Sequence, residues 1–180
     1  AKKLSQKIKD IQAKCQLSIQ ILAHSMGGLV VKEFILSHDE EWKKLNESIG
    51  FKIIFLGTPW MGSYRIPNVL AGRDGIIKQL DTIDFTHTKE ELINLFAKFP
   101  GILNLLPVRK QDFDFSQLEN WTKFQQASGL SWKIPSKHIL NQFNTFRQQA
   151  QDKSHLIDST NMFYIAGRDK ITQNNFSIEN

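Results

Sequence analysis

Residues 21–30 read ILAHSMGGLV. An apolar run stops at Ser25, and two glycines and a second apolar run follow. Upstream the run reaches back to Leu17 (LSIQILAH, 17–24), which is strand length and apolar enough for a parallel strand buried on both faces. Downstream, Leu29, Val30, Val31, Phe34, Ile35 and Leu36 are apolar almost all round a helix, so that helix is expected to be buried. A serine between such a strand and such a helix, with Ala23 two residues before it and Gly27 two after, matches the G-x-S-x-G turn with alanine in the first place. Ala23 and Gly27 would let strand and helix approach closely around a strained serine, and Gly28 adds room. The turn would lift Ser25 Oγ into a cleft as a nucleophile and aim the Met26 amide, at the helix start, at a developing oxyanion. A glycine-rich phosphate loop would need G-x-G-x-x-G or a Gly-Lys-Ser/Thr run, and neither occurs.

Working outward, Leu4, Ile8, Ile11 and Cys15 recur at one-face helical spacing among Lys2, Lys3, Lys7, Lys9 and Lys14, which predicts an amphipathic helix with a solvated basic face. Ser37 and Glu40 suggest a capping box opening a further helix through Trp42 and Leu45. FKIIFLG (51–57) reads as a second short strand closed by Gly57 and Pro59. Two strands joined by helix make a βαβ unit, hence a parallel sheet with a right-handed crossover. From Gly62 to about His155 the pattern turns helical and aromatic-rich. Thr88 with Glu91 and Ser116 with Glu119 suggest capping boxes, Pro100-Gly101 a stop, and Ser136 the start of a helix carrying Ile139, Phe143 and Phe146. MFYIAG (162–167) returns to strand character. The expected fold class is α/β with a few-stranded parallel sheet. It divides into a core segment (1–61), a helical cap insertion (62–155) and a return to the core (156–180).

Composition sets the class of molecule. The 180 residues are 41% hydrophobic and 23% charged, an ordinary globular balance. The net charge of +5 and the pI near 9.3 invite an acidic partner, but the lysines near the N-terminus interleave with a helix stripe and form no dedicated patch, so no nucleic-acid partner is expected. No apolar run approaches the roughly 18 residues of a membrane span, and AKKLSQKIKD lacks a signal-peptide core. The single cysteine, Cys15, excludes an internal disulfide, and a reducing cytoplasm is the expected setting. No residue cluster implies a metal or cofactor.

Four stretches carry a resemblance: HSMGG (24–28), GTPWMGS (57–63), FPGILNLLP (99–107) and FYIAGRDKIT (163–172). In that order the chain resembles the α/β-hydrolase superfamily, specifically the lipase-like branch related to lecithin:cholesterol acyltransferases. The resemblance implies a serine esterase, lipase or acyltransferase acting on lipid-like acyl esters. Ser25 would attack an ester carbonyl and form an acyl-enzyme, from which water or an alcohol takes the acyl group. It also implies that Phe96, Phe99, Leu103, Leu105 and Leu106 border an acyl-chain pocket, the alternative for each being plain cap core.

The triad partners are harder to find. In this fold the acid and then the histidine follow the serine in the chain. His24 belongs to the turn itself, His38 lies between helices, His87 and His138 lie near helix starts in the cap, and His155 precedes the last strand. None is placed to serve as base. Asp169 follows that strand and is the acid candidate, the alternative being a turn aspartate paired with Arg168 or Lys170. The expectation is the middle of a larger enzyme, holding nucleophile and cap without the base. A non-catalytic hydrolase-like module binding a lipid or protein partner is the competing reading. Contact of the basic first helix with an anionic membrane surface is a further one. The oligomeric state is left open.

Overall fold

The computed structural model describes residues 1–15, 17–107, 113–157 and 160–167. These residues form two units. The first, Ala1–Trp60 with residues 146–167, opens with α1 (Lys2–Lys14), β1 (Gln20–His24), α2 (Gly27–Ser37), α3 (Asp39–Asn46) and β2 (Lys52–Leu56). The second, Met61–Thr145, carries α4 (Arg65–Leu70), α5 (Gly75–Ile83), α6 (Lys89–Ala97), α7 (Pro100–Leu103), α8 (Leu118–Ser128) and the start of α9 (Lys137–Asp152). The end of α9, a 3₁₀ turn at Ser154–Leu156 and β3 (Met162–Ile165) return the chain to the first unit.

In the first unit the strands pair in the order β1-β2-β3, all parallel, as the βαβ pattern requires. Their register sets Ile21, Ile53 and Met162 side by side, and Ala23, Phe55 and Tyr164 likewise. That face meets Val31, Phe34 and Ile35 of α2, Trp42 and Leu45 of α3, and Ile8 of α1 in one apolar core. Removing these side chains from water is the main stabilising term, about 25 cal/mol per Å² of apolar surface. Polar fasteners set the helix positions. Ser5 Oγ donates to Glu41 at 2.5 Å and Lys9 pairs with the same carboxylate, tying α1 to α3. Lys153 Nζ donates to the Leu36 carbonyl at 2.9 Å and to both Asp39 oxygens, holding the chain after α9 at the α2–α3 junction.

Two strand expectations are corrected. β1 begins at Gln20, and Leu17 is 81% exposed outside it. Nor is the strand buried on both faces: Ala23 is 4% exposed whereas Leu22 is 69%. The parallel register places Leu22 beside Ile54 and Phe163, and Leu56 beside Ile165, on the face opposite the helical core. Leu22, Leu56, Phe163 and Ile165 are exposed there. The apolar run fits two-sided burial, but among the described residues helices cover one side.

In the second unit the Thr88 box forms as expected: Thr88 Oγ1 accepts from the Glu91 amide, and the Glu91 carboxylate accepts from the Thr88 amide at 2.7 Å. Ser136 Oγ accepts weakly from the Ile139 amide at 3.4 Å at the start of α9. The other two boxes do not form. Ser37 ends α2 with its hydroxyl turned back to the Glu33 carbonyl, and His38 takes the N-cap of α3. Gln117 takes the N-cap of α8, while the Ser116 amide is drawn to Asp114 in an Asx turn. α6 ends at Ala97, ahead of Pro100 as expected, and Pro100 then heads the short α7, where its missing N–H costs nothing. Phe115, Trp121, Phe124 and Trp132 meet edge to face, and Trp121 Nε1 donates to the Phe115 carbonyl at 2.8 Å, satisfying the one polar atom that ring buries. Asp74 caps α5 by accepting from the Ile76 amide and receives Arg65 through two nitrogens at 2.9 and 3.2 Å.

Candidate active site

The site forms where β1 gives way to α2. Ser25 has φ +50°, the only non-glycine among the described residues in the left-handed region. That conformation costs an L-residue roughly 1–2 kcal/mol, so the surroundings must enforce it. They do so from both sides. The Ser25 amide donates to the Leu56 carbonyl at the end of β2 (2.9 Å), and the Ser25 carbonyl accepts from the Gly28 amide (3.0 Å) in the first turn of α2. Met26 is the N-cap of α2, and its carbonyl accepts from Leu29 at 3.0 Å. Ser25 and Met26 are both exposed, at the end of the helix where backbone amides point outward and the dipole is positive.

The glycines divide the work differently from expectation. A Cβ built at Gly27 meets nothing within 4 Å, so close approach does not demand glycine there. At Gly28 it meets Oγ1, Cγ2 and Cβ of Thr58, the last at 2.7 Å. Crowding therefore falls one residue later, because the chain after β2 turns at Gly57 (φ +57°) and sets Thr58 against the first turn of α2. Ala23 is buried in the core beneath the turn.

Sequence reasoning noted GTPWMGS only as a signature and missed the part its residues take. Trp60 packs on Phe55 (centroids 4.8 Å apart) and on Tyr164, and Lys32 of α2 lies 5.5 Å from the Trp60 centroid and 5.6 Å from that of Phe146. Burial pushes the Lys32 ammonium below its ordinary value. Among the described residues, Thr58 Oγ1 and Trp60 Nε1 are buried without a hydrogen-bond partner.

Within the first unit, among the described residues, no hydrogen bond reaches Ser25 Oγ. His24 and His155 are exposed, and His38 stacks on Phe34 with Nδ1 buried. In the second unit His87 Nδ1 lies 2.8 Å from Asp84, whose carboxyl is held well below its usual range by the Thr86 hydroxyl and amide and by His87. His138 meets Gln142 on α9. Asp169 lies outside the described residues. Of the acyl-pocket candidates, Leu103, Leu105 and Leu106 are buried within the second unit, Phe96 is half-buried and Phe99 is exposed. Among the described residues there is no group of three or more His, Cys, Asp or Glu able to hold a metal, and no helix long and apolar enough to cross a membrane.

With this geometry in view, the family model for lecithin:cholesterol acyltransferase matches residues 1–178. The chain belongs to the lecithin:cholesterol acyltransferase family. Among curated proteins and solved structures, none matches significantly. Family membership and the three parallel strands together identify the first unit's sheet as part of an α/β-hydrolase fold. The family assigns the protein a lipid acyltransferase or esterase type of function, with lipid or acyl-ester substrates.

Proposed function

We propose that Ser25 is the nucleophile of a serine ester hydrolase or O-acyltransferase that works through an acyl-enzyme. The observation that carries this is the left-handed backbone of Ser25 at a strand-to-helix junction, strain that only a positional requirement on its side chain explains. Ser25 Oγ attacks the ester carbonyl carbon, its proton passes to a general base, and the carbonyl electron pair moves onto oxygen. The Met26 amide, at the positive end of α2, donates to that oxyanion, a contribution of about 3–4 kcal/mol where such donors have been removed. Collapse expels the alcohol and leaves the acyl group on Ser25; water or an acceptor alcohol then takes it. The exposed lysines of α1 support additional contact with anionic lipid surfaces, through attraction that salt would weaken.

The test is labelling of the full-length natural protein by a fluorophosphonate probe. Wild type is expected to label and Ser25→Ala to remain unlabelled. Equal labelling of the two would refute the assignment. A non-catalytic lipid-binding module is the second reading, favoured by the absence of a described hydrogen-bond partner on Ser25 Oγ. It predicts no labelling of the wild type together with binding to phospholipid vesicles.

A further inference from the structure

We propose that Thr58 is a positioning residue for the Ser25 turn, acting by shape and not through its hydroxyl. This inference rests on Ser25 being the nucleophile. The path from one residue to the other is short. The Leu56 carbonyl holds the Ser25 amide at 2.9 Å, and the Gly57 amide donates to the Ile165 carbonyl at 2.8 Å, so the end of β2 is pinned between its two neighbours. Gly57, with φ +57°, then turns the chain, and Thr58 fills the volume that Gly28 leaves by lacking a Cβ. Gly28 in turn donates to the Ser25 carbonyl at 3.0 Å. The side chain of Thr58 is thus a stop against which the first turn of α2 rests. The distance between that turn and the end of β2 sets where Ser25 Oγ and the Met26 amide stand relative to each other.

The state of the hydroxyl separates shape from chemistry. Among the described residues Thr58 Oγ1 is buried and has no hydrogen-bond partner, whereas Oγ1, Cγ2 and Cβ all crowd the Gly28 position. A buried hydroxyl that bonds to nothing adds volume and a desolvation cost, and a methyl of the same size would serve as well. Valine should therefore replace Thr58 without loss. Serine, which keeps the hydroxyl but lacks Cγ2, and alanine, which lacks both, should leave α2 unsupported.

The experiment measures fluorophosphonate labelling rates, and kcat and KM on a short-chain aryl ester, for the full-length natural protein and its T58V, T58S, T58A and S25A variants. Thr58→Val is expected within about threefold of wild type. Thr58→Ser and Thr58→Ala are expected to label and turn over roughly 10- to 100-fold more slowly, the scale of an ångström-level misplacement, with KM unchanged. An active Thr58→Ser beside an inactive Thr58→Val would overturn the proposal in favour of a hydroxyl bond. Thr58 variants that all react at the wild-type rate, while Ser25→Ala is silent, would overturn it and leave the nucleophile standing. Labelling of Ser25→Ala at the wild-type rate would remove the nucleophile assignment itself.

Discussion

Two adjacent glycines, Gly27 and Gly28, should respond to alanine in opposite directions. At Gly28 the new Cβ lies 2.7 Å from Thr58 Cβ, with Oγ1 and Cγ2 closer still. Carbon atoms prefer about 3.5–4.0 Å, so close to an ångström has to be recovered by moving Thr58 or α2. Thr58 Cβ is not the far end of a flexible side chain, and the strand end before it is pinned through Gly57. Overpacking of this kind costs about 1–3 kcal/mol, and the gain in helix propensity from glycine to alanine offsets at most about 1 kcal/mol. A net loss of about 1–2 kcal/mol is expected for Gly28→Ala. At Gly27 the same propensity gain meets no clash, so Gly27→Ala should be neutral or up to about 1 kcal/mol more stable. Urea unfolding of the two variants checks the order. The double variant Gly28→Ala, Thr58→Gly should be more stable than the two single effects added together, since removing Thr58 Cβ removes the clash. Equal stability of the two alanine variants, the reverse order, or strict additivity would refute the reasoning.

Acid should weaken the second unit through Asp74. Burial raises that carboxyl, but Arg65 and the Ile76 amide outweigh it and hold it below the ordinary value of 3.8. A depressed carboxylate contributes stability above its unfolded value and loses it as pH falls through the folded one, so the contribution fades below 3.8. Asp74→Asn keeps an oxygen to cap α5 but loses the charge that Arg65 meets, so it should cost up to about 1 kcal/mol at neutral pH, and the gap from wild type should close in that acid window when unfolding is followed against pH. Lys153→Met should lower unfolding stability by about 1 kcal/mol by releasing the Leu36 carbonyl and Asp39; a stability unchanged from wild type would deny the fastener any role.

What was legible in the sequence is local. ILAHSMGGLV specified strand, turn and helix because an apolar run, a serine and two glycines each constrain the same short piece of backbone. Thr88 and Glu91 formed their box because the two side chains lie three residues apart at the start of α6, where each reaches the other's amide. Ser37 fits the same pattern but lies at the end of α2, where the Glu33 carbonyl is within reach, and a pattern of residue types does not reveal which partner is nearer. Thr58 on Gly28 was illegible for a different reason. The two residues are far apart in the chain and meet only through the parallel register of β1 and β2. The exposed side of the sheet was misread because an apolar run records what a strand can bury and not which side is covered.

That exposed side bears on how residues 1–180 behave as a solute. Leu22, Leu56, Phe163 and Ile165 are exposed on a surface made of parallel strands, and among the described residues β1 lies at the edge of the sheet, with hydrogen-bonding groups open to an extended chain. That surface favours self-association of the chain as its concentration rises. Its colloidal behaviour will follow the polarity of those four side chains more closely than its net charge of +5.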